Sequence, residues 1–384
     1  MDKKFVMGIA AMAALTLVSC SSDDLDSFSD NSSKNEAISF DGYLGRSAVA
    51  VNGTRGSVET ANTLQTNGFG VFGNYTGGQT PDPDFFKNQK VTCSNKKWTY
   101  SPLKYWPTQG NIDFLAYAPY VANTALKKTT ETSGAEQKNT SCIDFTVDKD
   151  IAKQKDLLWA NATGQITDKF EDTTNKKVKF QFHHALSRLG YTVKLSGNYS
   201  DNATFTLKKI TLAGSPDENT KAFYAKGTID LAKTGTKEEL SKTNTATGLW
   251  TATPSAENKQ NFPWFDASYT VTSPTATHPT EPDSKSDYLF VIPQDFSLTT
   301  EGADKLYVIV EYDVTYKSGT KITNKVYKQL PINLMQGKAY MLNLTIGLPI
   351  EFDVDVDTVA GVEDWDPKDG TPTDIDSWDD ISRK

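Results

Sequence analysis

The sequence predicts an all-β protein built as β-sandwiches, and three observations carry that prediction. Apolar residues recur at every second position, as in Leu306, Val308, Val310, Tyr312, Val314 and Tyr316, the period of a strand with one face on a core. β-Branched and aromatic residues fill such runs, while Gly, Asn, Asp and Pro cluster between them, which is strand and turn chemistry. Helical periodicity is almost absent, with only Lys237 to Lys242 suited to a turn or two.

The chain opens on Lys3 and Lys4, followed by an apolar or small run from Phe5 to Val18. That run is long enough for a signal sequence and too short to span a bilayer unaided. It ends in Leu17-Val18-Ser19-Cys20, the shape of a lipobox, so residues 1–19 read as a lipoprotein signal peptide and Cys20 as the lipid attachment site. Acyl chains on Cys20 would hold the chain in a membrane. Residues 20–36 are Ser-, Asp- and Asn-rich with almost nothing to bury, and read as a tether. Without residues 1–19 the chain carries 38 basic and 47 acidic side chains. That acidic balance argues against a nucleic-acid partner, which would require a basic stripe.

Ala37 to Leu44 alternates, with Ile38, Phe40 and Leu44 on one face. Four arginines occur in the whole chain, and two of them, Arg46 and Arg55, follow this strand directly. Further strands are expected at Val178–Phe182, Tyr191–Leu195 and Phe205–Leu212, with a break at Gly197 to Asp201. The break suggests an N-terminal domain of residues 37–200 and a C-terminal domain of residues 201–384. Lys233–Lys259 and Ala267–Ser286, rich in Thr, Lys, Asn, Ser and Pro, read as surface loops. A hairpin is expected from Leu306 to Leu330, turning at Lys317-Ser318-Gly319-Thr320, and a strand over Tyr340 to Ile346. From Glu351 onward there are twelve acidic and three basic residues, with Trp365 and Trp378 among them. Asp353, Asp355 and Asp357 alternate with Val354 and Val356, which reads as a strand with valine inward rather than a calcium loop.

Catalytic signatures are missing. His183 and His184 adjoin, so a strand would point them to opposite faces, and His184 shares its parity with Phe180 and Phe182. No G-x-S-x-G, H-E-x-x-H or phosphate-binding Gly loop occurs. The reading is a non-enzyme without cofactor or metal. Cys93 and Cys142 read as two independent thiols.

Several blocks resemble the fimbrillin family, the pilin subunits of type V pili. Trp98 to Pro107 with Ile112 to Tyr120 is similar to that family's Trp…Tyr-Trp-Pro region. Asp156-Leu157-Leu158-Trp159-Ala160, Phe182-His183-His184-Ala185-Leu186-Ser187, Ile292-Pro293-Gln294 and Gln336-Gly337-Lys338-Ala339-Tyr340 follow in the family's order. The resemblance implies two tandem transthyretin-like β-sandwich domains and a fimbrial subunit assembled by strand exchange. A protease would cut after an arginine, Arg55 or Arg46, and the strand of Ile38, Phe40 and Leu44 would leave for a neighbour's strand to replace. Phe352, Val354 and Val356 mark the candidate donor strand. Implied partners are other pilin subunits (copies of itself, or tip and anchor pilins), the outer membrane through the N-terminal lipid, and a host protein or glycan. Ser21-Ser22-Asp23-Asp24 resembles the export signal that sends lipoproteins to the outer face. A stalk position is favoured over a tip. The alternative is a glycan-binding surface lipoprotein using Trp250, Trp264 and Phe265 as sugar platforms.

Overall fold

The computed structural model describes residues 36–44, 54–55, 58–77, 81–128, 140–166, 177–276, 286–348 and 350–358. Its described strands form one seven-stranded sheet, three four-stranded sheets and three two-stranded pairs. The class is all-β, as the two-residue period requires.

The seven-stranded sheet runs Ser39–Leu44, Lys177–His184, Leu158–Gln165, Ile112–Ala118, Phe69–Tyr75, Asp82–Ser94, Lys97–Thr99. One face carries Phe69, Val71, Phe114, Ala116, Leu158, Phe180 and Phe182 into a smaller hydrophobic core. The other face sends Phe72, Leu115, Tyr117, Leu157 and Trp159 into a larger one. The central strands are therefore apolar on both faces. This is why Phe114-Leu115-Ala116-Tyr117 and Leu157-Leu158-Trp159-Ala160 run as unbroken apolar stretches instead of alternating.

The larger core fills a sandwich of two four-stranded sheets. One runs Leu289–Val291, Ser187–Leu195, Ala339–Gly347, Glu351–Thr358; the other Phe262–Val271, Ala203–Ala213, Tyr307–Tyr316, Lys321–Gln329. Leu189, Tyr191, Leu342 and Leu344 meet Phe205, Leu207, Val310 and Tyr312 between them. The expected hairpin is present: Tyr307–Tyr316 pairs antiparallel with Lys321–Gln329. In Ala203–Ala213 a bulge between Leu207 and Lys209 shifts the parity, so both Leu207 and Ile210 reach the core across two lysines.

The chain crosses from the smaller core to the larger between His184 and Ser187, ahead of the Gly197–Asp201 break, whose flanking strands both serve the larger core. One strand of the N-terminal half also crosses over. Thr140–Thr146 pairs antiparallel with Lys226–Asp230, in a sheet completed by Trp250–Ala252 and Lys127–Lys128.

Two expectations are corrected. Lys233–Lys259 is not only loop: besides the expected helical turn, present as Lys237–Leu240 and capped reciprocally by Thr236 and Glu239, it holds the strand Trp250–Ala252. Ala267–Val271 completes the strand Phe262–Val271. A second helix, Ala61–Asn67, has no expectation behind it; seven residues bury only Leu64, too little for a visible helical period.

Candidate functional site: a docked edge strand

Among the described strands, Ser39–Leu44 lies at the edge of the seven-stranded sheet, parallel to Lys177–His184. Ile38, Phe40 and Leu44 point inward and are 1 %, 3 % and 2 % exposed. Phe40 sits among Phe86, Tyr100, Phe114 and Phe180, with ring centroids 5.3–5.7 Å away. A loop clasps the start of the strand. The Ile38 amide donates to the Lys104 carbonyl at 2.8 Å, the Trp106 amide to Glu36 at 3.0 Å, and the Tyr100 hydroxyl to the Ile38 carbonyl at 2.8 Å. Tyr100, Lys104 and Trp106 belong to the Trp98–Pro107 block, so the work of that block is to hold the first strand.

Burying three such side chains contributes about 5–9 kcal/mol. Ordering the seven residues Ile38–Leu44 costs about 7–14 kcal/mol. The two ranges overlap, and the ladder and the clasp supply the difference. Asp41, on the back of the strand, is buried beside Lys177 and Lys179; burial pushes its carboxyl up to about 6, with the two lysines opposing.

Behind the strand is a buried polar cluster. Asp156 accepts from the Leu157 amide at 2.8 Å and from the Glu59 amide at 3.1 Å, and lies 2.6 Å from His184 Nδ1. Two motif blocks distant in sequence thus meet on one carboxylate. His184 is a buried core histidine, as its parity predicts. Burial pushes the Glu59 carboxyl up to about 7; Asp156's charge adds to this, while Thr63, Asn67 and His184 offset part of it. Arg188 follows, stacked 4.4 Å over the Tyr288 ring. The Gly337 amide, from a third block, donates to the Leu186 carbonyl at 2.8 Å.

Of the predicted cleavage sites, Arg55 lies in a two-residue strand, Thr54–Arg55, paired parallel with Ser286–Asp287. Cys20, Arg46, Trp365 and Trp378 lie outside the described residues. Glu351–Thr358 occupies a sheet edge, antiparallel to Ala339–Gly347. There Val354 is buried, Phe352 and Val356 are half-buried, and Asp353, Asp355 and Asp357 face outward. Trp250, Trp264 and Phe265 are buried, so none presents a face to a sugar. Cys93 and Cys142 lie in different sheets and are not bonded to each other. Among the described residues no group of three or more His, Cys, Asp or Glu is placed to hold a metal.

These features define a structural β-sandwich subunit, its first and last described long strands both docked at sheet edges. A fimbrillin-like family model matches residues 54–365, and the chain belongs to that family. It is 27 % identical over 342 residues to the fimbrium subunit Fim1C of Phocaeicola vulgatus, covering 82 % of this chain and 83 % of that one. The crystal structure of a fimbrial protein from Bacteroides vulgatus superposes with a TM-score of 0.59 at 21 % identity, covering 85 % of this chain and 99 % of that one. The chain is a fimbrial subunit of the cell surface.

Proposed function

We propose that this subunit is exported as a lipoprotein through Cys20, carried to the outer membrane, and assembled by protease-triggered strand exchange, in the stalk rather than at the tip. The observation that carries this reading is the first strand: an edge strand among the described residues, whose three inward side chains plug a core. An arginine-specific cut at Arg55 or Arg46 would sever it from the rest, exposing an apolar groove and a row of unpaired backbone groups. Glu351–Thr358, also at an edge, is the segment available to a neighbour through Phe352, Val354 and Val356. A subunit with a strand to release and a strand to give suits an internal position in a fibre. Host proteins or glycans would be met by the assembled surface.

Arginine-specific proteolysis of the protein together with its partner pilin subunits should yield SDS-resistant ladders that contain it. In that mixture a chain truncated after Ile350 should fold, be cut and accept a strand, yet add no further subunit; extended ladders through that truncation would remove Glu351–Thr358 as donor. Metabolic labelling with an alkyne fatty acid should tag the natural chain and leave Cys20→Ala unlabelled.

A further inference from the structure

The groove that holds the first strand has a notch sized for glycine. Its inward positions read Ile38, Phe40, Gly42, Leu44, and Gly42 lies opposite Phe180 in the parallel ladder. A Cβ built on Gly42 would stand 2.9 Å from Phe69 Cε1 and 3.3 Å from Phe182 Cε2. Ordinary carbon contacts begin near 3.5 Å. The Phe69 ring has little freedom to retreat: it is fully buried, with Trp98, Phe180 and Phe182 at centroid distances of 4.8, 5.8 and 5.2 Å. An interior this densely packed resists an inserted methyl group, and a branched one more so.

We infer that the groove selects its occupant by this notch: it accepts a strand with an apolar residue, an aromatic residue, a glycine and an apolar residue at successive inward positions. The inference rests on the strand-exchange reading above. It identifies the partner on the accepting side as a chain whose donor strand carries that glycine. Residues 351–358 of a second copy do not qualify. Their inward set is Phe352, Val354, Val356 and Thr358, and the opposite set is Glu351, Asp353, Asp355 and Asp357. In either direction and every register that fills the notch, a branched, aromatic or acidic side chain meets Phe69. Sliding on to place Ala360 or Gly361 at the notch would put Thr358, Val359, Val362 or Glu363, none of them aromatic, in the pocket of Phe40. This subunit therefore gives Glu351–Thr358 to a chain with a different groove and receives a strand from a chain with a different terminus.

The test uses the full chain with a site-specific protease sequence replacing residues 47–52, cut after folding, and labelled peptides added as the first strand dissociates. A peptide of residues 36–44 should be taken up. The same peptide with Gly42→Val should bind at least 100-fold more weakly, and a peptide of residues 350–358 should not bind detectably. Val354→Gly in that last peptide should restore uptake, since Ile350, Phe352 and Val356 then fall in the Ile38, Phe40 and Leu44 pockets. Phe69→Ala in the groove should admit the Gly42→Val peptide. Equal binding of the 36–44 and 350–358 peptides, or no loss with Gly42→Val, overturns the notch while leaving strand exchange standing. Failure of the 36–44 peptide itself to bind overturns strand exchange, and the inference with it. Melting of the uncut Gly42→Val chain reads the notch separately: an unchanged midpoint overturns it.

Discussion

Glu59 hides its carboxyl beside Asp156 and His184, and the fold therefore controls its proton. The folded chain keeps that proton up to about pH 7, whereas an unfolded glutamate releases it near 4.5. The stabilisation is complete below pH 4.5 and is lost as pH rises through about 7. Asp41 contributes with the same sign between 3.8 and about 6. The gap in melting temperature between the natural chain and Glu59→Gln should accordingly shift against the natural chain as pH rises from 4.5 through about 7; a gap that does not change with pH would refute the assignment. Tyr100→Phe removes only the hydroxyl bonded to Ile38 and should cost about 0.5–1.5 kcal/mol in chemical denaturation. His184 could be placed in the core from its parity, but Asp156 as its partner could not, because nothing local links positions 28 residues apart.

Strands were legible wherever one face met water and the other a core, since alternation is then forced. Lys177–His184, Tyr307–Tyr316 and Ala339–Gly347 fall where the period places them. The central strands of the seven-stranded sheet were harder to read because both faces are buried and the period disappears. Trp250–Ala252 was concealed by the polar residues around it, since three residues are too few to declare a period. The first strand's alternation was plain, but its parallel pairing with a segment more than 130 residues away was not. For that strand, Phe40→Ala should lower the stability of the uncut protein by about 3–5 kcal/mol. After the strand has been cut away and washed out, the variant and the natural chain should melt identically. A difference that persists would mean that Phe40 shapes the groove rather than filling it.

The two cores are tied by the seven-stranded sheet, whose two faces feed them, and by Asp156 and His184 where the chain crosses between them, while Thr140–Thr146 ties the N-terminal half of the chain to Lys226–Asp230. Calorimetry should therefore show one transition in place of two. Cys142 reports on the same tie, because burial pushes its thiol up to about 12. With Cys20 replaced by Ala, a thiol reagent should modify half-buried Cys93 first and Cys142 only as the whole molecule opens. Prompt labelling of Cys142 in native protein would show the halves separating locally. The parallel pairing of the first strand has a mechanical consequence. The strand is entered from Glu36, while its neighbour, Lys177–His184, leads out of its far end into the larger core. Tension between residue 36 and the larger core thus pulls two parallel strands from opposite ends. Such a load shears the ladder, so its bonds share the force instead of failing one after another as in a zipper. A tether at the N-terminus would pull the uncut subunit along its strongest direction.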